Sequence, residues 1–473
     1  RPPRSTPLYS SAASDVYKRQ HMIDKLNLLL ESENQKYLEN TKKSFEKHKT
    51  SENFMPGGNT RTTQWMEPYP FYVDNANGLH IKDLDGNKYL DFMLNATTLI
   101  LGHAPPEIVN TLIRQIKLGT VYSAPTDGQA KLAEILVNRI PSIQKIRFTN
   151  SGTEATMMSL MAARSYTKKT KIAKFEGGYH GTHEHVSVSV YPKESDLNSE
   201  TNPGVPEYSY QPKSILDDVI VLPYNDVEKC KKLIHEYKDD LACIIIEPII
   251  SNFGYLPLDL QFLKFIREIT NELEIVLIFD EIQSFRVAKG GAQEVFDVIP
   301  DITTLGKIIG GGLPIGAFGG KEDIMDLFNP NSPNYDIAHA GTFNGNPLTM
   351  EAGASVMNAL TDEKYSQMNL LGEQLRKQLK SVFDEIELKV QVTGYGSLFG
   401  INFNKNPIRD YRSFIKNNNE MTKILFSHMR NNGILLQVKN AGALSTLMTQ
   451  NQIELLVKNS REIGLKIKEN SDE

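Results

Sequence analysis

The sequence predicts an α/β protein: a large unit with a mostly parallel central sheet and helices on both faces, plus a smaller α+β unit built from the N- and C-terminal segments. Three observations carry this. Between residues 104 and 345, short apolar runs alternate with helical stretches, the pattern of parallel strands joined by crossing helices. Several of those runs are apolar at every position, as a strand buried on both faces requires. Before and after that stretch the chain reads differently, as an early hairpin and as a late mixture of helices and short strands.

The elements follow in order. Residues 1–21 read as a leader outside the fold, with no apolar periodicity and no signal-peptide hydrophobic region, and His21-Met22 resembles a junction or a start. Residues 22–103 are the first part of the smaller unit. Within them 24–49 is a polar amphipathic helix with Asp24 as its N-cap, and 54–70 is a loop rich in Gly and Pro. Residues 78–92 form a hairpin: Leu79-His80-Ile81-Lys82 alternates, Asp85-Gly86 turns, and Tyr89-Leu90-Asp91-Phe92 returns. Residues 104–345 are the large unit. Its helices are expected at 107–117, 129–139, 153–167, 227–237 and 259–272, and its strands at 145–149, 172–175, 219–222, 242–246 and 275–279. Residues 346–473 complete the smaller unit, with helices to 360 and over 365–384, 412–431 and 451–469, and strands at 387–392 and 398–403.

Composition excludes several classes of function. A net charge of −5 and the lack of a basic face interleaved with aromatics argue against a nucleic-acid partner. No apolar run reaches the ~18 residues of a membrane-spanning helix. Two cysteines, Cys230 and Cys243, do not make a disulfide framework, and a reducing cytoplasm is the simpler setting.

Five stretches carry candidate chemistry. In Leu305-Gly306-Lys307-Ile308-Ile309-Gly310-Gly311-Gly312 one lysine stands between a strand-like approach and a glycine run. In a tight, desolvated place such an amine loses basicity and becomes a nucleophile; alternatively it is a surface lysine beside a turn. A phosphate-binding P-loop fails on spacing, because Asp301 and Ile308 stand where Gly and Ser/Thr are needed, and Ile315 breaks the dinucleotide fingerprint. The run Ile275-Val276-Leu277-Ile278-Phe279 ends in Asp280-Glu281, at the end of a strand where ligands gather in parallel sheets. Asp280 can hold a buried cation there, or cap a helix. Ser151-Gly152-Thr153-Glu154 joins a strand to a helix, which makes an anion site, a capping box, or both. Tyr179 sits among glycines in Glu176-Gly177-Gly178-Tyr179-His180-Gly181, where an aromatic can stack on a flat ring. His180, His183 and His185 lack the partners of a metal site and read as loop histidines, so no metal is expected. Gly341-Thr342 offers a hydroxyl in a turn before a helix.

Together and in this order the five stretches resemble the class III aminotransferases of fold type I, over roughly residues 50–460. Within that class the chain is most similar to the glutamate-1-semialdehyde 2,1-aminomutase branch, which includes β-amino-acid transaminases. Supporting stretches are Lys174-Phe175-Glu176-Gly177, Arg286-Val287-Ala288, Gly290-Gly291-Ala292-Gln293 and Leu313-Pro314-Ile315-Gly316-Ala317-Phe318-Gly319-Gly320. The resemblance implies a pyridoxal 5'-phosphate (PLP) enzyme. Lys307 would hold the cofactor as a Schiff base and shuttle a proton. Asp280 would pair with the pyridine nitrogen, and Ser151, Gly152 and Thr153 would bind the phosphate. Tyr179 and Ile282 would cover the two ring faces, with Gln283 near the ring hydroxyl. Thr342 would reach the cofactor phosphate of a neighbouring subunit, which implies a homodimer with shared sites.

The substrate side departs from the aminomutase pattern at Asn95-Ala96-Thr97-Thr98, at Thr182-His183-Glu184-His185 and at Asn440. Gly58-Asn59-Thr60-Arg61 is instead similar to β-amino-acid transaminases, which implies Arg61 as the substrate-carboxylate ligand, with Lys439 as a second candidate. The expected function is amino transfer from an amino acid, a β-amino acid among the candidates, to a keto acid such as 2-oxoglutarate or pyruvate. The alternatives are the aminomutase and a catalytically silent PLP-fold binding protein.

Overall fold

The computed structural model describes residues 9–197 and 204–471, with side chains from Gln20 onward. Of the leader expected over 1–21, residues 1–8 lie outside the described residues. From Tyr9 the chain is helical as far as Asn40, and a second helix follows at Lys42–Glu52. The single helix expected over 24–49 is therefore two, broken at Thr41 (φ −130, ψ 42), and Asp24 is an interior residue rather than a cap. Its carboxylate accepts from Gln20 Nε2, four residues earlier.

The large sheet has seven strands: β1 (Lys145–Thr149), β2 (Lys171–Phe175), β3 (Val219–Leu222), β4 (Leu241–Ile246), β5 (Val276–Asp280), β6 (Ile302–Gly306) and β7 (Gly316–Gly320). Their spatial order is β1-β7-β6-β5-β4-β2-β3. All neighbours run parallel except β7, which is antiparallel to both β6 (Thr303 beside Gly319) and β1 (Thr149 beside Gly316). β7 is not among the expected strands, because Gly-Ala-Phe-Gly-Gly reads as a loop. Its glycines are steric. A Cβ at Gly316 would run into the carbonyl of Ser151, and one at Gly320 into the carbonyl of Asp301.

Alternate residues of the inner strands feed opposite faces. Ala173, Ile244, Ile246, Leu277 and Phe279 join a core beneath the helices Val227–Tyr237 and Leu260–Glu272. Ile172, Cys243, Ile245, Val276 and Ile278 join the core beneath the helix Gly152–Thr167. Both faces are dry, which is why these strands are apolar at every position. Cys230 and Cys243 are free and buried, and burial pushes both thiols well above their usual range.

The terminal segments interlock. Strands Val73–Asn77, His80–Asp83 and Lys88–Asp91 form an antiparallel meander, and Ile434–Leu435 from the far end of the chain pairs parallel to its last strand. A second small sheet joins Gln391–Thr393, Leu398–Asn402 and Ala441–Ala443. Helix Tyr9–Asn40 packs on Asn419–Asn431 and Gln450–Ser471. The helix expected over 412–431 is interrupted: Tyr411–Phe414 ends, and Asn418 caps a new start at Asn419.

Candidate active site

A cavity of about 390 Å³ opens at the carboxyl ends of β5 and β6, and Lys307, Asp280, Ser151, Gly152, Thr153, Tyr179, Ile282, Gln283 and Arg61 all line it. Each arrives there for a local reason. Lys307 follows β6 immediately, in the left-handed region (φ +50), and starts a short 3-10 turn, Lys307–Gly310. The first two glycines after it serve close packing, while Gly312 lines the cavity. A Cβ at Gly310 would lie 2.5 Å from Ile315, and one at Gly311 2.9 Å from Ala352. Burial drives the Lys307 amine down to about 8, against the opposing pull of Asp280 and Glu247. At neutral pH a useful fraction is then the free base.

Asp280 ends β5 and is buried. Its Oδ1 accepts from the Ile282 backbone N–H at 3.1 Å, and its Oδ2 lies 2.8 Å from His180 Nδ1. An ionised carboxylate only accepts, so Nδ1 carries the hydrogen. His180 Nε2 is buried without a partner. His180 is a loop residue but not a solvated one: it is buried and packed against the carboxylate of Asp280.

Ser151 is the N-cap of helix Gly152–Thr167, its Oγ accepting from Glu154 N at 3.2 Å while Glu154 accepts from Asn150 N at 2.6 Å. The cap is half of the expected capping box, since Glu154 reaches Asn150 N rather than the N–H of Ser151 itself, and Ser151, Gly152 and Thr153 of this helix start line the cavity. A Cβ at Gly152 would lie 2.6 Å from Ile282 Cδ1, so the start of this helix and Ile282 pack directly together. Tyr179 presents a partly exposed ring, and its backbone N–H donates to Glu247 Oε1 at 2.9 Å. Gln283 Oε1 accepts from Tyr255 Oη at 3.1 Å, and Tyr255 in turn accepts from Gln437 Nε2 at 2.5 Å. This fixes the amide so that its N–H₂ group is the end left for the cavity.

Three further residues line the cavity, of which sequence reasoning missed the first two and placed the third only on the substrate side. His180 is one. Glu247 is another: it is buried, lines the cavity, accepts from Ser251 N at 2.8 Å, and burial raises its carboxyl above the usual range. Its signal was available, since it ends an apolar strand just as Asp280 does. The third, Asn95, accepts from Arg61 Nη2 at 3.0 Å.

Asn95 belongs to the most strained backbone of the pocket. Leu94, Asn95, Ala96 and Thr97 all have positive φ (51, 49, 54 and 76). A left-handed conformation costs roughly 1–2 kcal/mol per residue with a side chain, so it must be held. Leu94 N donates to Asp91 Oδ1 at 2.8 Å, and the buried Arg286 donates to Thr97 O at 2.9 Å. Arg286 also bonds Ser397 Oγ and Leu444 O.

The remaining candidates lie elsewhere. Thr342 is exposed, in a separate groove with Tyr122, Pro125 and Gln129, away from Lys307 of its own chain. Lys439 lies over the rings of Tyr191 (4.5 Å) and Phe414 (5.7 Å), outside the cavity lining. His183 approaches Thr156 Oγ1 at 3.3 Å, and burial drives its imidazole down to about 4. Among the described residues no cluster of His, Cys, Asp and Glu is placed to hold a metal, and no helix is long and apolar enough to cross a membrane.

An amine, a buried carboxylate, an anion cradle at a helix start and an aromatic face converge on one cavity, and this set fits a phosphorylated pyridine aldehyde such as PLP. The comparisons agree. Residues 62–456 match the model of the class-III aminotransferases. A Methanosphaera stadtmanae protein named glutamate-1-semialdehyde 2,1-aminomutase is 39% identical over 416 residues, which are 87% of this chain and 96% of that one. The crystal structure of an omega-transaminase from Sphaerobacter thermophilus superposes with a TM-score of 0.86 at 40% identity, covering 90% of this chain and 98% of the other. A β-phenylalanine aminotransferase from Variovorax paradoxus gives 0.84 at 30% identity, with 92% and 97% covered.

Proposed function

The chain belongs to the class-III aminotransferase family, and from that premise we propose that it is a transaminase whose donor is a carboxylate-bearing amine of the β-amino-acid class and whose acceptor is a keto acid such as 2-oxoglutarate or pyruvate. It is a PLP-dependent enzyme. The observation that carries the proposal is Arg61, a cation on the rim of the cavity that contains Lys307, held toward it by Asn95. A guanidinium offers a planar fork suited to a carboxylate.

The cofactor, when bound, would supply a carbonyl that exchanges for the donor's amine and an electron sink for the C–H bond at the amine-bearing carbon. The chain's own residues do the rest. Lys307 Nζ would hold the cofactor and, once released, would carry a proton at the amine-bearing carbon, a task that its depressed basicity suits. Asp280, backed by His180, holds a proton on the pyridine nitrogen. Ser151, Gly152 and Thr153 would bind the phosphate, Tyr179 and Ile282 would enclose the ring, and Gln283 would lie near the ring hydroxyl. Thr342 serves the partner subunit of a homodimer, consistent with its exposed groove apart from its own chain's cavity.

A second reading, the aminomutase, is favoured by the name of the Methanosphaera relative. The two separate cleanly in one experiment. Holoenzyme in its amine-loaded form is mixed with a keto acid alone and followed by absorbance. A lasting return of the aldehyde-form spectrum supports transamination. Isomerisation of glutamate-1-semialdehyde with no second substrate would establish the aminomutase instead.

A further inference from the structure

We infer that Asn95 is a specificity-determining residue: from its left-handed turn it positions Arg61 as a neutral-backed fork for a donor carboxylate. This rests on the carboxylate-binding reading of Arg61 and goes beyond it in naming what aims that side chain.

Arg61 has a choice of places. It lines the cavity with Lys307, and it also lines an adjoining, mainly apolar cavity of about 440 Å³ bounded by Met55, Met66, Phe71, Tyr72, Met93 and Leu435. An arginine has many rotamers and loses substantial entropy when held in one. The only side-chain hydrogen bond that Arg61 makes among the described residues is the 3.0 Å bond from Nη2 to Asn95 Oδ1. Asn95 lines both cavities too, so the bond holds the guanidinium at their junction. The backbone of Arg61 is fixed separately, its N–H donating to Asn59 Oδ1 at 3.0 Å.

The chemistry of the partner matters as much as its place. Asn95 accepts one N–H and leaves the other guanidinium hydrogens free, and it leaves the positive charge uncompensated. A carboxylate at 95 would form an internal ion pair and compete with the substrate. The rigidity of Asn95 comes from the backbone. Its left-handed turn is anchored at one end by Asp91 and at the other by Arg286, and Leu94 is fully buried against Tyr255, Leu398 and Ala443. Asparagine is among the few residues with a side chain that tolerate this conformation.

The test uses holoenzyme and paired donors that differ only in the carboxylate: β-phenylalanine with 1-phenylethylamine, and β-alanine with ethylamine. The half-reaction is followed by absorbance, and the readout is the ratio of kcat/KM for acid over amine. Asn95→Gly, which suits the positive φ, is expected to lower that ratio about tenfold, the worth of one hydrogen bond to a charged group. Asn95→Asp should lower it further, and neither change should alter it in an Arg61→Ala background. If Arg61→Ala collapses the ratio but Asn95→Gly and Asn95→Asp do not, the inference about Asn95 is overturned and the role of Arg61 stands. If Arg61→Ala leaves the ratio unchanged, the carboxylate reading fails and takes this inference with it.

Discussion

The floor of the cavity and its rim follow opposite rules. At the floor, backbones crowd together and glycine stands wherever a Cβ would collide, as at Gly316 against Ser151 and at Gly311 against Ala352. At the rim, four consecutive residues that carry side chains occupy the conformation that glycine takes freely. The floor is positioned by packing between strands of one sheet. The rim is positioned by a few polar braces, chiefly Arg286 and Asp91, that hold an unfavourable turn in place. Under the proposed function the floor residues would serve every substrate alike, and the rim residues would choose among substrates.

The sharpest way to break that division is at Lys307. Lys307→Ala should lower turnover by at least about a thousandfold with every donor, acid or amine. The visible band of bound cofactor should disappear while the circular dichroism spectrum stays native. A variant that kept activity toward simple amines would place Lys307 on the selective side of the pocket and undo the comparison.

The next effect is on stability. Lys174 lies on β2, fully buried, with Nζ donating to Val188 O at 2.5 Å. Burial pushes its amine down from 10.5 to about 7, although Glu207, Glu247 and Glu176 pull the other way. In the unfolded chain the amine keeps its proton up to about 10.5. Between these values the unfolded state binds more protons than the folded one, so the contribution of Lys174 to stability improves as pH rises from 7 toward 10. Below pH 7 both states are protonated and the penalty is constant. The stability of the parent protein should rise against that of Lys174→Met by up to roughly 1.4 kcal/mol per pH unit in this window. Denaturant unfolding of both proteins at pH 7, 8 and 9 measures it, and curves that stay parallel would remove the buried charge from the account.

What the sequence made legible follows the same division. Asp280 ends a strand whose other positions are all apolar, which announces its own end, and Lys307 and the Ser151-Gly152-Thr153 turn stand beside glycines after strand-like runs. The floor could therefore be assembled from local pattern. Two parts of it could not. β7 was hidden because Gly316, Gly319 and Gly320 answer to neighbouring backbones, not to strand propensity. His180 was read as a loop residue because its partner, Asp280, is a hundred positions away. The rim was less legible still. In Leu94-Asn95-Ala96-Thr97 only Asn95 hints at a left-handed turn, and nothing signals four such residues in a row, since none of them is glycine. The residue that holds its far end, Arg286, is 189 positions from Thr97. Arg61 was found by resemblance to a motif, but its orientation by Asn95 is tertiary information.

The smallest effect tests the two rules directly, by exchanging them. Gly316→Ala puts a Cβ into the contact between β7, Thr149 and Ser151, where backbone is the obstacle and cannot swing aside. It should cost roughly 1–3 kcal/mol of stability, as overpacking does, and reduce turnover with all donors because Ser151 begins the anion cradle. Ala96→Gly does the reverse at the rim, where φ is 54 and ψ is 51. Glycine relieves the left-handed strain but gains entropy in the unfolded chain, so the net is a stabilisation of only about 0.5–1 kcal/mol. With the turn no longer stiffened by that side chain, discrimination between acid and amine donors should fall while the protein melts at a slightly higher temperature. Greater stability with undiminished discrimination would mean that the braces at Arg286 and Asp91 hold the rim by themselves. Lower stability would mean that the turn is not strained at all.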